Sequence, residues 1–199
     1  MFKIGINFMT QKSTDTRFFT NDEKNSLLQR FKQTLKHVDK FDILVGYFRA
    51  SGFYALYKDL EKVKKIRILN GLDVDSRTFQ AYSESQQELG FDSAAKAKEN
   101  YSKRVEEEVL EAEDNHQTFE GYQKFVEFLK SGKIELKQHP SHNLHAKLYI
   151  SRFGGSAGDL DFGRVITGSS NFSHSGLSGN REFNVELKDR SDVEFALKQ

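Results

Sequence analysis

Two periodicities alternate along this chain, and the places where they switch mark its elements. Residues 1–19 carry one faint signal: Phe2, Ile4, Ile6 and Phe8 alternate, which fits a short strand. Thr20-Asn21-Asp22-Glu23 then has the Thr-x-x-Glu spacing of a capping box. Leu27, Leu28, Phe31, Leu35 and Val38 follow at helical spacing, which predicts a helix over about 21–38. Phe41 to Phe48 is a near-continuous apolar run of strand length, the pattern of a central strand buried on both faces. Ser51 caps a helix running to about Val63, with Phe53, Leu56, Tyr57, Leu60 and Val63 turned inward. Lys65 to Asn70 is the next strand, closed by Gly71. This β-α-β order predicts parallel pairing through a right-handed crossover.

Residues 75–116 change character. Ser, Gln, Glu, Lys and Ala dominate and apolar residues are sparse. The pattern predicts one or two solvated helices, at about 76–90 and 93–113, projecting from the core as an insertion. A charged, solvated face is its plain meaning; a dimer contact or a lid is the alternative. A helix from Thr118 carries Phe119, Tyr122, Phe125, Val126 and Leu129 on one stripe and stops at Ser131-Gly132. Strands follow at 133–138, 144–152, 164–167 and 183–187, and Gly154-Gly155-Ser156-Ala157-Gly158 reads as a hairpin turn. That turn lacks the Gly-Lys-Ser/Thr of a nucleotide-binding loop.

Composition narrows the class. The 199 residues are enough for one domain, 1–199, with a sizeable insertion. Asp192–Gln199 reads as a helix just beginning, so a piece of a longer protein is expected. Cysteine is absent, which excludes disulfides and Cys-based metal sites and fits a cytoplasmic protein. No apolar run approaches a membrane span, and Met1-Phe2-Lys3 lacks the apolar core of a signal peptide. Net charge is +1, but residues 71–120 carry 5 Lys/Arg against 13 Asp/Glu while residues 1–70 carry 14 against 7. An acidic middle in a basic-to-neutral frame marks an inserted element rather than a uniformly basic nucleic-acid binder.

The chemistry gathers late in the chain. His145 and Lys147, two apart on a strand, point to the same side of the sheet. Their neighbours Leu144, Leu148 and Ile150 otherwise describe a buried strand. Gly168-Ser169-Ser170-Asn171-Phe172, after the next strand, supplies a hydroxyl, a carboxamide and free backbone N–H groups. Together these suit an anionic, phosphate-like group. A metal reading of His139, His142 and His145 fails on Pro140, which breaks any helix that would align them; a strand would put His142 on the opposite face. Ser173 and His174 are loop residues within reach of such a site. Tyr47, Phe48, Arg49 and Phe53 follow the central strand, where they either stack on bases or pack the core.

These residues resemble the phospholipase D superfamily signature, H-x-K-x4-D-x6-G-S-x-N with a downstream N-x-E. His145-x-Lys147, Gly168-Ser169-Ser170-Asn171 and Asn180-Arg181-Glu182 carry the resemblance, which is specific over roughly 142–187. It is softer over 41–72, where strand, helix and strand end in Leu69-Asn70-Gly71. The resemblance implies an α/β fold, a mixed β-sheet flanked by helices on both faces (an α-β-α sandwich). It also implies a metal-independent phosphodiesterase with no cofactor. His145 would attack phosphorus and a second imidazole would protonate the departing oxygen. Lys147 and Asn171 would bind phosphoryl oxygens, Ser169 would support them, and Glu182 would hold the His145 tautomer. One His-x-Lys per chain implies a homodimer with paired His145 residues across a two-fold axis.

Two departures accompany it. The motif Asp is Arg152, and 20 residues lie between Lys147 and Gly168 where the pattern has 11. Asp159 and Asp161, in the extra turn, are the candidates for a replacement carboxylate. Three functions follow as expectations. The first is a nuclease domain acting on nucleic acid, DNA above RNA, favoured by Glu182. The second is a catalytically degenerate module for DNA binding and dimerisation at the N-terminus of a larger helicase or restriction protein, favoured by Arg152. The third, a lipid phosphodiesterase, lacks a membrane-binding amphipathic stretch.

Overall fold

The apolar run 41–48 lies inside the longest strand of the molecule, and the rest of the sheet is built outward from it. The structure is a computed structural model, and it describes residues 17–22, 25–87, 116–139, 144–155 and 161–198. Seven strands form one mixed sheet: β1 (Phe18–Thr20), β2 (Val38–Phe48), β3 (Lys65–Val74), β4 (Ile134–Gln138), β5 (Lys147–Phe153), β6 (Gly163–Gly168) and β7 (Phe183–Leu187). Their spatial order is β1-β7-β6-β5-β2-β3-β4. β2 pairs parallel with β3, and β3 with β4, as the β-α-β reading requires. β5 closes antiparallel on the other side of β2, and β6 pairs antiparallel with β5.

Alternation divides the sheet into two unequal faces. Phe41, Ile43, Val45, Ile66, Ile68, Tyr149 and Ile166 point to one, which carries the main core. Helices α1 (Leu27–Thr34), α2 (Ala50–Tyr54), α3 (Tyr57–Leu60), α4 (Ser76–Gln87) and α5 (His116–Lys130) belong to that side of the fold. The other face holds a smaller cluster, in which Ile150 and Val165 pack under Val193 and Ala196 of α6 (Arg190–Ala196). Both faces are therefore flanked by helix, as expected of an α-β-α arrangement.

Several boundaries differ from the sequence reading, each for a long-range reason. The first helix starts at Leu27 rather than near residue 21. Thr20 is taken into β1 opposite Phe183 of β7, and Ser26 caps the helix instead, accepting from the Gln29 N–H. The predicted helix 51–63 is two short pieces with a turn at Ala55 and Leu56. The predicted helix near 76–90 exists as α4 but does not project into solvent. Thr78, Ala81 and Ser85 are each 0% exposed. Small and polar residues make that seam, so no apolar stripe announced it. Asp75 ties it down further, accepting from the backbone N–H of Thr78 and from that of Ala50 at the start of α2. The second predicted helix, 93–113, and the strand read at residues 2–8 lie outside the described residues, while the helix read as just beginning at Asp192 is α6, which ends at Ala196.

Candidate active site

The end of the sheet where β2 and β3 finish, and where β5 begins, collects the candidate residues. Two glycines let the chain ahead of β5 lie against those strand ends. A Cβ on Gly71 would fall 2.1 Å from the Leu144 carbonyl oxygen, and one on Gly46 would fall 3.2 Å from His145 Cδ2. The Gly46 N–H also donates to the Ala146 carbonyl at 3.0 Å. His145 is thus seated by main chain on both sides, yet its side chain is exposed.

Lys147 opens β5, and its Nζ lies 3.2 Å from His145 Nε2 and 3.4 Å from Nδ1. Partial burial pulls the Lys147 ammonium below its ordinary lysine value, and the Glu182 carboxylate works the other way. Tyr47 stands edge-on to the imidazole, ring centres 6.3 Å apart, and is 38% exposed. Phe48 and Phe53, by contrast, are core residues at 0% and 1% exposure.

The Gly-Ser-Ser-Asn loop is fixed from three directions. Tyr149, fully buried two residues after Lys147 on the same face, donates a 2.7 Å hydrogen bond to the Ser170 carbonyl. Burial pushes its phenol well above the ordinary tyrosine value, and the charge of Glu182 adds to the shift. Asn184 Nδ2 donates to Ser170 Oγ at 2.9 Å. The ring of Phe172 stacks on Phe48 at 5.1 Å and 8°, and the Phe172 carbonyl accepts from the Arg49 N–H. Asn171 is left half-buried with its Oδ1 unpartnered.

Glu182 accepts from Ser169 Oγ and from Asn180 Nδ2. Among the described residues neither of its oxygens bonds to His145. The Ser169 hydroxyl also accepts from the Phe183 N–H at 3.0 Å. Ser173 turns inward to cap the Gly176 N–H, and His174 stays exposed with its backbone N–H on Ser51 Oγ.

Arg152 lies on the opposite face from Lys147, as strand alternation requires. There it pairs with Asp42 at 3.1 Å, which Arg67 also grips at 2.5 Å. Asp161 does not reach back to that position, because it is bound by Arg164; Asp159 lies outside the described residues. So do His142 and Pro140, and among the described residues no three His, Asp or Glu side chains cluster to hold a metal ion.

Three residues of this site escaped the sequence reading: Tyr149, Asn184 and Gly46. The one available signal was Tyr149, a large aromatic at the next same-face position after Lys147.

A family model described as cardiolipin synthase, PLD-like domain, matches residues 27–198. The chain belongs to this phospholipase D-like family. Among solved structures it is similar to NucT from Helicobacter pylori, at 12% identity and a TM-score of 0.44, covering 86% of this chain and 83% of that one. It is similar to Nuc from Salmonella typhimurium, a phospholipase D family member, at 14% identity and 0.45, covering 91% and 88%. The yeast tyrosyl-DNA phosphodiesterase matches at 12% identity and 0.43 over 86% of this chain, which spans only 32% of that enzyme. Among curated proteins none matches. Membership rests on the family model, not on these distant likenesses. Among the described residues no helix is long and apolar enough to cross a membrane.

Proposed function

We propose that this phospholipase D-like chain is a metal-independent phosphodiesterase acting on nucleic acid, with His145 as its nucleophile. The observation that carries the reading is the 3.2 Å approach of Lys147 Nζ to an exposed His145 imidazole. A cation at that distance attracts a phosphodiester and steadies the charge that grows on its oxygens as the nucleophile arrives. The imidazole lone pair attacks phosphorus, the phosphorus–oxygen ester bond breaks, and the phosphoryl group stays on His145. Water then attacks that phosphorus and frees the imidazole. Lys147 and Asn171 hold the non-bridging oxygens. Ser169, braced by Glu182, anchors the loop, and the Glu182 charge helps keep Lys147 protonated.

The departing oxygen needs a proton, and the chain has a single His-x-Lys. A second copy would supply the other imidazole, which makes the active unit a homodimer. The exposure of His145 leaves it open to such a partner. The degenerate-module reading drew on Arg152, but Arg152 sits on the far face in a pair with Asp42, so its identity bears little on the chemistry.

The test is nicking of plasmid or single-stranded DNA with EDTA present, comparing wild type with His145→Ala. Activity that is absent, or that survives the substitution, ends the proposal. Light scattering checks the dimer: a particle of one 22.9 kDa chain at working concentrations would remove the two-histidine site.

A further inference from the structure

The row of the sheet that holds Lys147 continues away from it across two strands. Lys147 is opposite Val45 on β2, Val45 is opposite Asn70 on β3, and Asn70 is opposite Gln138 on β4. Asn70 and Lys147 therefore share one row and one face, about 10 Å apart at the usual strand spacing. Asn70 is 1% exposed, and its Oδ1 is buried without a hydrogen-bond partner. An orphaned buried carboxamide oxygen is unfavourable, so a position that keeps one invites a donor from a ligand.

The space beside it has the shape of a receptor. A cavity of about 260 Å³ lies between the end of β3, the edge strand β4 and α4, lined by Asn70, Phe79, Tyr82, Leu136 and Gln138. Tyr82, 39% exposed, is one of the lining residues. An apolar slot lined by an exposed tyrosine ring and by an asparagine whose carboxamide oxygen lacks a partner matches a flat heterocycle bearing an N–H donor.

We infer that this cavity is a nucleobase pocket, occupied by an unpaired base about one or two nucleotides from the phosphate at Lys147, and that it selects bases with an exocyclic amino group. The inference rests on the nucleic-acid reading and names its substrate more closely: single strands, with adenine, cytosine or guanine rather than thymine or uracil in the pocket. The amino group donates to Asn70 Oδ1 while the ring stacks on Tyr82. Thymine and uracil offer only a ring N–H flanked by two carbonyl oxygens, which would be pressed against the carboxamide oxygen. Duplex DNA keeps its bases stacked and paired and would not fill the pocket without flipping one out.

The experiment uses the full chain with EDTA and a set of single-stranded oligothymidylates, each with one adenine or cytosine walked along it. Wild type is expected to cut at a constant offset from that base, roughly tenfold or more faster than in all-thymine strands. Asn70→Leu and Tyr82→Ala should each bring that ratio close to one. Tyr82 is a surface position, so a poorly folding Asn70→Leu does not end the test. A second readout is fluorescence anisotropy of the same oligonucleotides on His145→Ala, where the ratio should appear in Kd. Indifference of wild type to the base, or a ratio that survives both substitutions, overturns the pocket while EDTA-resistant cutting still upholds the phosphodiesterase. Base-selective binding without any cutting upholds the pocket and removes the catalytic reading.

Discussion

The Tyr149 hydroxyl donates to the Ser170 carbonyl across 21 residues of sequence, at 2.7 Å in the buried core. This bond joins the strand that carries Lys147 to the loop that carries Ser169 and Asn171. Tyr149→Phe removes the donor and leaves a buried carbonyl short of a partner, at about 1–2 kcal/mol. The expected outcome is a lower midpoint in urea unfolding together with slower cutting of DNA. Loss of stability with unchanged cutting would mean that the loop holds its place without this bond.

The same phenol predicts an alkaline weakness. Its folded pKa is raised well above the ordinary value by burial, so its contribution is intact below the unfolded tyrosine pKa of about 10 and declines as pH rises beyond it. Wild type should lose stability above pH ~10 more steeply than Tyr149→Phe, measured as the slope of unfolding free energy against pH.

Lys147 trades stability for charge. Burial lowers its pKa, which means that the fold resists the ammonium form the reaction needs. Lys147→Met is expected to raise the melting temperature while abolishing phosphodiesterase activity. The alkaline limb of the wild-type rate profile should fall below the ordinary lysine value, and Lys147→Arg should move it upward. A limb at or above the lysine value would contradict the burial argument.

The two site glycines should respond unequally to Ala. Gly71→Ala drives a methyl to 2.1 Å from main-chain oxygen, whereas Gly46→Ala meets ring and main-chain atoms at 3.2–3.3 Å. Overpacking of the first kind costs on the order of 1–3 kcal/mol. Thermal melts should rank Gly71→Ala as the more damaging, with His145 displaced and activity lost in proportion.

Restoring the family's acid at position 152 should harm the protein. Arg152→Asp would face Asp42, which is only 12% exposed at its side chain, leaving Arg67 to serve two carboxylates. A drop in stability of about 1–3 kcal/mol is expected, with partial rescue in the double variant Arg152→Asp, Asp42→Arg. A gain in activity would show that the far face matters to the chemistry.

Much of this site was legible because it lies in short-range pattern: His145 with Lys147 by their two-residue spacing, although β5 begins only at Lys147 and His145 lies just ahead of it, and Ser169 with Glu182 by spacing. The parallel β2–β3 pair was legible for the same reason. What escaped depends on distant partners. Asn184 is an ordinary strand residue until Ser170 comes beneath it, and Thr20 looked like a helix cap until β7 drew it into the sheet. Thr78, Ala81 and Ser85 form a buried seam with no apolar stripe, so hydrophobic periodicity could not reveal that α4 is docked. Arg152 looked like damage to a motif because its partner, Asp42, is 110 residues away.

The Phe172–Phe48 stack has a consequence for how the loop moves. Its ring is set into the same aromatic core as the longest strand, so the loop has little independent breathing. Its hydrogen-bonded amide at Ser169, which donates to the Phe183 carbonyl, should exchange with deuterium as slowly as the amides of β2. An anion arriving at Asn171 then meets donors already in place, and little of its binding energy is spent on ordering them.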